Sequence, residues 1–412
     1  MARMVDPAQL DRYADLALRV GVGLRPGQRL VVRSGLEAAP LVRALAGAAY
    51  RLGAPFVTAM WSDPEIARLR YDLAPDGSFD EVPYGEGAAL AGMAERGDAF
   101  VSIDAKDPEL LRDADPDRVA TARAAAQRSL QPFRRFVMNG GVAWTILAAA
   151  TPAWAAKVFP EDDAERATAR LWEAILAAVR LNAGDPVAAW RDHVAALEAR
   201  SAYLNERRFG ALRFRGAGTD LTVGLADAHV WRGGQSVTNE GQTFVPNLPT
   251  EEVFTAPHRD RVDGTVRASL PLAYAGRVIE GLWLRLREGR VVDAGADAGA
   301  EVLSRLLDSD DGARRLGEVA LVSVDSPIHR SGRLFFDTLF DENAASHLAL
   351  GEAYRICTEG GEGLGDEEVA ARGLNASLTH VDFMIGGAET DVDGVHADGG
   401  EEPVMRDGRF VI

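Results

Sequence analysis

A chain of 412 residues exceeds what a single hydrophobic core usually serves, so two domains are expected, and 47% hydrophobic residues are enough to fill both cores. The formal charge of −17, from 62 acids against 45 Lys plus Arg, repels phosphate backbones and excludes nucleic acid as an expected partner. The single cysteine, Cys357, excludes an internal disulfide framework and makes a reducing cytoplasm the expected setting.

The opening Met1-Ala2-Arg3-Met4-Val5-Asp6-Pro7 lacks the apolar core of a signal peptide. Asp6-Pro7 instead reads as an N-cap and first-turn proline, followed by Leu10, Tyr13, Leu16, Ala17 and Val20 at helical spacing. Leu30-Val31-Val32 then reads as strand, Ala38 to Leu52 as helix and Phe56 to Trp61 as strand, with Ser62-Asp63-Pro64 opening the next helix. Ala99 to Ile103 and Ala143 to Leu147 continue the strand series, with a helix from Pro116 to Leu130 between them. The most apolar run, Val142 to Ala156, is too short for a bilayer and is broken by Pro152, so no membrane segment is expected.

Helical periodicity from residue 161 to about 207 forms a bridge, after which the texture changes. Leu212 to Arg215 with Leu221 to Leu225, and Gly281 to Arg287 with Arg290 to Val292, read as hairpins. The expected fold is therefore an α/β N-terminal domain with a mainly parallel sheet, residues 1–207, plus an α+β C-terminal domain with mainly antiparallel strands, residues 208–412.

Four segments of the second half carry metal-ligand residue types. Asn247-Leu248-Pro249-Thr250-Glu251-Glu252-Val253-Phe254 crowds two acids behind a proline, and in an extended chain Glu251 and Glu252 point to opposite faces, so only one enters a given site. A helix N-terminus capped by Thr250 is the competing reading. Glu318 stands alone before an apolar run, and by itself reads equally as a surface acid. His347 falls in Asn343 to Ala353, where Ala344, Leu348 and Leu350 suggest a partly buried helix, with Tyr354 seven positions on along the same face. His380-Val381-Asp382 is the sharpest signal: on a strand His380 and Asp382 project to one face while Val381, Phe383 and Ile385 pack the other. Asp391-Val392-Asp393-Gly394 lacks the remaining ligands of a calcium loop and reads as a tight Asp-Gly turn. Gly21 to Gly27 and Gly85 to Gly87 lack dinucleotide-binding spacing.

With these segments in place the chain resembles the M29 family of metallo-aminopeptidases, the bacterial aminopeptidase T and aminopeptidase S group. The likeness runs nearly end to end, from Gly27-Gln28 and Glu37 to Val42 through Pro152 to Ala155, and is most specific at Asn247 to Phe254 and Thr379 to Gly386. The resemblance implies two divalent metal ions held by the C-terminal domain, with Glu252, Glu318, His347, His380 and Asp382 as ligands and Tyr354 at or beside them. It implies a cytosolic homodimer that takes peptide substrates with a free N-terminus. Mixed carboxylate and imidazole ligands suit zinc, cobalt or manganese, and two such ions would activate a water for amide hydrolysis. Glu251 is then a candidate base or amine anchor, and Tyr354 a candidate oxyanion donor. The glycine-rich Gly360 to Gly365 stretch is a mild departure from the family pattern that removes no ligand. A non-catalytic peptide- or metal-binding protein on the same fold is the alternative. A metal-independent glycosidase using Glu251 or Glu252 with Glu318 would leave His380 and Asp382 without a duty.

Overall fold

The computed structural model describes residues 5–412; Met1 to Met4 of the opening stretch lie outside them. Two compact units divide the chain: Met1–Arg191 with Gln235–Pro249, and Asp192–Gly234 with Thr250–Ile412. The first division falls inside the long helix Pro186–Arg207.

In the first unit the strands Leu30–Gly35, Val57–Ser62, Ala99–Asp104 and Trp144–Ala148 form a fully parallel sheet in the order second, first, third, fourth. Parallel neighbours need long crossovers, and helices supply them. The helices Pro7–Leu16, Pro64–Leu73, Pro116–Met138 and Pro152–Val158 all start in one way: Asp6, Asp63, Asp115 or Thr151 accepts a first-turn N–H through its side chain, and a proline occupies the first helical position. Leu30, Val31 and Val32 are all buried, as a strand covered on both faces must be, whereas the edge strand Val57–Ser62 has no fully buried residue.

The second unit is rich in antiparallel strands. An eight-stranded sheet contains both expected hairpins, Ala211–Gly216 with Thr219–Leu225 and Trp283–Arg287 with Arg290–Gly295. Glu288 and Gly289 both adopt positive φ, +48° and +73°, which matches the right-handed twist of the flanking strands. Asp391 to Gly394, expected as a turn, is instead the strand Asp391–Val395 inside this sheet. An acid survives on that inner strand because Arg215 (2.5 Å) and Arg406 neutralise the buried Asp393.

A separate five-stranded sheet runs His380–Met384, His347–Gly351, Leu316–Val322, Glu252–Thr255, Arg232–Gly233, with every neighbouring pair antiparallel. His347 therefore begins a strand and not the helix that its Ala and Leu neighbours suggest. Every residue of His347–Gly351 is buried between two flanking strands, so neither its face nor its period shows as alternation. Val253, Val319, Leu321, Leu348, Leu350, Val381 and Phe383 belong to the unit's main core, together with Phe214, Val223 and Val262 of the larger sheet.

Candidate metal centre

Strand register alone assembles the site. Glu318 lies opposite Ala349, which lies opposite Asp382; His347 is opposite Ala320, His380 opposite Gly351, and Glu252 opposite Val322. Cross-strand partners share a face, as do residues two apart along a strand. Glu252, Glu318, His347, His380 and Asp382 consequently emerge from one side of the sheet, while Val253, Val319, Leu321, Leu348, Leu350, Val381 and Phe383 emerge from the other. Between them on that side Ala320, Ala349 and Gly351 are small and leave room above the sheet, with Val322 and Phe254 at its border. Gly351 sits at φ +109°, and a Cβ there would collide with the Thr379 carbonyl oxygen, so no other residue fits.

The side chains converge in two groups that share one carboxylate: Glu252, Glu318 and His347 in one, Glu318, His380 and Asp382 in the other, with the ligand atoms of each group within 4.8 Å of one another. His347 Nε2 lies 3.1 Å from Glu252 Oε2 and 3.4 Å from Glu318 Oε1. His380 Nε2 lies 3.3 Å from Asp382 Oδ1 and 3.7 Å from Glu318 Oε2. Glu318 thus turns one oxygen toward each imidazole, the disposition of a bridging ligand.

Both imidazoles are oriented from behind. His347 Nδ1 is 3.1 Å from the Ala345 carbonyl oxygen and His380 Nδ1 is 2.7 Å from that of Glu352. A carbonyl only accepts, so each Nδ1 donates and Nε2 is the ring atom turned toward the acids. Glu252 Oε2 and Asp382 Oδ1 are buried with no hydrogen bond of good geometry, each facing one of these Nε2 atoms. Buried oxygens left so are costly unless a cation lies between them and the nitrogens, and the donor set matches a divalent ion.

The electrostatics agree. Burial pushes the Glu318 carboxyl up to about 7, with the Glu252 and Asp382 charges adding to the rise and the imidazoles opposing it. Burial opposes charge on His380, yet Asp382 and Glu318 hold its proton affinity up to about 9; Glu252 and Glu318 likewise outweigh burial and raise His347 well above the ordinary value. Burial also works against the Asp382 charge, but the facing His380 imidazole keeps its carboxyl below the usual range. Without a cation the cluster retains protons, and a doubly charged ion would displace them.

Tyr354 follows the His347 strand in a loop, not on a shared helical face, and its ring stacks 4.6 Å from the His380 ring, tilted by 35°. Burial and the charges of Glu318, Asp382, Glu342 and Glu252 raise its phenol above the ordinary value, so it keeps its proton. Glu251 is not in either group. Alternation turns it away from Glu252, and its Oε2 lies 3.7 Å from His193 Nε2. Glu342, which sequence reasoning passed over, belongs with the cluster: burial, then the Glu252 and Asp382 charges, push its carboxyl well above the ordinary value. It sits in a 3-10 turn, Glu342–Ala344, that has no periodicity to read. The signal available was an acid five positions before His347.

A two-unit chain whose second unit gathers acids and histidines that could hold a metal ion has the make-up of a metallohydrolase. Residues 6–410 match the family model described as thermophilic metalloprotease (M29), and the chain belongs to that peptidase family. It is 49% identical to aminopeptidase T of Thermus aquaticus and 48% to aminopeptidase 2 of Geobacillus stearothermophilus, in each case covering 98% of both chains. The solved structure titled wild-type AmpT from Thermus thermophilus superposes with a TM-score of 0.93 at 48% identity, covering 98% of this chain and 99% of that one.

Proposed function

We propose that this chain, a metal-dependent aminopeptidase, holds two divalent ions, zinc, cobalt or manganese, on Glu252, Glu318, His347, His380 and Asp382, with Glu318 shared between them. The observation that carries this reading is the pair of Glu318 oxygens, each facing a different imidazole and acid. Ions bound there would supply Lewis acidity to a water and to the scissile carbonyl. The chain's own groups do the rest. Tyr354 keeps its phenol proton and serves as a donor to the developing oxyanion. Glu342, whose surroundings favour the protonated carboxyl, holds a proton that it gives to the leaving amine. Glu251, buried beside His193, acts through the backbone of its neighbour Glu252, or as the anchor of the substrate's free amine. Blocking that amine by acetylation distinguishes the two roles in a Glu251→Gln variant: an anchor's loss narrows the gap between free and blocked peptides.

The substrates are peptides with a free N-terminus, and the setting is the cytoplasm, in keeping with the buried, unpaired Cys357. No helix among the described residues is long and apolar enough to cross a membrane. A homodimer is supported by the exposed Ile66, Leu69 and Leu73 along one helix and the exposed Phe56 and Trp61 at the open sheet edge. The test of the catalytic reading is metal removal. The chelated protein should be inactive on aminoacyl fluorogenic substrates, and about two equivalents of divalent metal should restore turnover; full activity after verified removal of metal overturns it.

A further inference from the structure

Pairing of the Glu252 strand with its neighbour starts at Glu252 itself, opposite Val322. The peptide unit just before it, the carbonyl of Thr250 and the N–H of Glu251, is buried and has no strand partner. Side chains hold both of its ends. The Glu251 N–H donates to Asn343 Oδ1 at 2.6 Å, and the Thr250 carbonyl lies 2.8 Å from His193 Nε2, which must donate. Asn343 is itself fully determined: no part of it is exposed, its Nδ2 donates to the Leu339 carbonyl at 2.9 Å, and its own carbonyl accepts from Ser326 Oγ at 2.6 Å. Rotating the amide by half a turn would set oxygen against oxygen and N–H against N–H, so only one orientation is allowed.

We infer that Asn343 is a positioning residue for the metal centre, fixing the Glu252 strand against the turn that carries Glu342 by clamping the Thr250–Glu251 peptide; this rests on the two-metal reading. Asn343 touches none of the five ligand side chains; its one contact with the cluster is Nδ2, 3.4 Å from Glu342 Oε1. Its neighbours in sequence are Glu342 on one side and, four residues on, His347, so a single amide ties together three acids and imidazoles of the cluster that come from different elements. A carboxylate ligand released from such a support loses metal affinity by roughly 10- to 100-fold.

The experiment compares wild type, Asn343→Ala and Asn343→Asp as full chains. It measures zinc affinity by chelator competition, kcat and KM separately, and melting of the metal-free protein. Asn343→Ala is expected to weaken zinc binding by roughly 10- to 100-fold and to lower kcat more than it raises KM. Asn343→Asp keeps the acceptor for the Glu251 N–H but sets an oxygen against the Leu339 carbonyl and Glu342, so it is expected to recover only part of the zinc affinity. His193→Ala frees the other end of the same peptide and carries the test if Asn343→Ala does not fold; weaker zinc binding is again expected. Zinc affinity within threefold of wild type in Asn343→Ala, or in His193→Ala when that variant stands in for it, overturns the proposal and leaves Asn343 a packing residue. So does an unchanged kcat in Asn343→Ala. If wild type takes up no zinc, the two-metal reading falls and takes this proposal with it.

Discussion

Replacing Glu318 by Gln should stabilise the metal-free protein at alkaline pH, although it removes the central group of the site. The Glu318 carboxyl is pushed from 4.5 up to about 7 by burial and neighbouring acids, a difference worth about 3 kcal/mol. Because the folded value is the higher one, the contribution of this group to stability is fully present below pH 4.5 and is lost as pH rises through about 7. Gln has no proton to lose. His347 and His380 remain paired with Glu252 and Asp382, so neither imidazole is stranded by the change. Metal-free Glu318→Gln should therefore match the wild type near pH 4.5 and exceed it at pH 8 by up to about 3 kcal/mol, roughly 6–12 °C in Tm for a domain of ordinary size. Zinc should reverse the order: at 100 to 1,000 times Kd a ligand adds about 3 to 4 kcal/mol to the wild type, and the variant should gain little. Calorimetry of chelated and zinc-loaded protein between pH 4.5 and 8.5 reads both effects. A variant less stable than wild type at pH 8 and equally stabilised by zinc would show that the cluster is an ion-pair network and not a metal site.

Asp382→Asn keeps the shape and removes a charge that offsets the cation, so zinc affinity and activity should fall steeply while the fold persists. Val381→Ala, on the apolar face of the same strand, should do the opposite, costing about 1 to 3 kcal/mol of stability with metal stoichiometry unchanged; metal titration and melting of the two variants separate the faces. Tyr354→Phe should bind metal normally and lose roughly 100-fold in kcat, and an unchanged kcat would remove the phenol from the reaction. Acetylating the α-amine of a peptide substrate should abolish cleavage, as liquid chromatography of the products will show, whereas equal rates on free and blocked peptides would mean that the free N-terminus is not read.

Much of the fold was legible because local chemistry marks it. Asp6-Pro7 and Asp63-Pro64 announce helices through capping that depends on two adjacent residues, and His380-Val381-Asp382 shows its strand because the polar and apolar faces differ. His347 did not show its strand. Its neighbours Ala344, Ala345, Leu348, Ala349 and Leu350 are good helix formers, and burial on both faces removes the alternation that would have overruled them. Asp391 to Gly394 misled in the opposite sense, since turn-like composition was outweighed by Arg215 and Arg406, which lie far away in sequence or on the next strand. The site residues were identifiable by type, but their common face depends on the register of four strands, including the bulge beside Gly317, and register is a tertiary property. Glu342 and Asn343 were invisible for the same reason: an irregular turn acquires a role only through what folds against it.

Two ions bridged by Glu318 would be seen most directly by anomalous diffraction from zinc-soaked crystals at the zinc edge. Two peaks should appear roughly 3.5–4 Å apart, one among Glu252, Glu318 and His347 and the other among Glu318, His380 and Asp382. A single peak, or peaks that leave Glu318 outside the coordination sphere, would contradict the shared-carboxylate site.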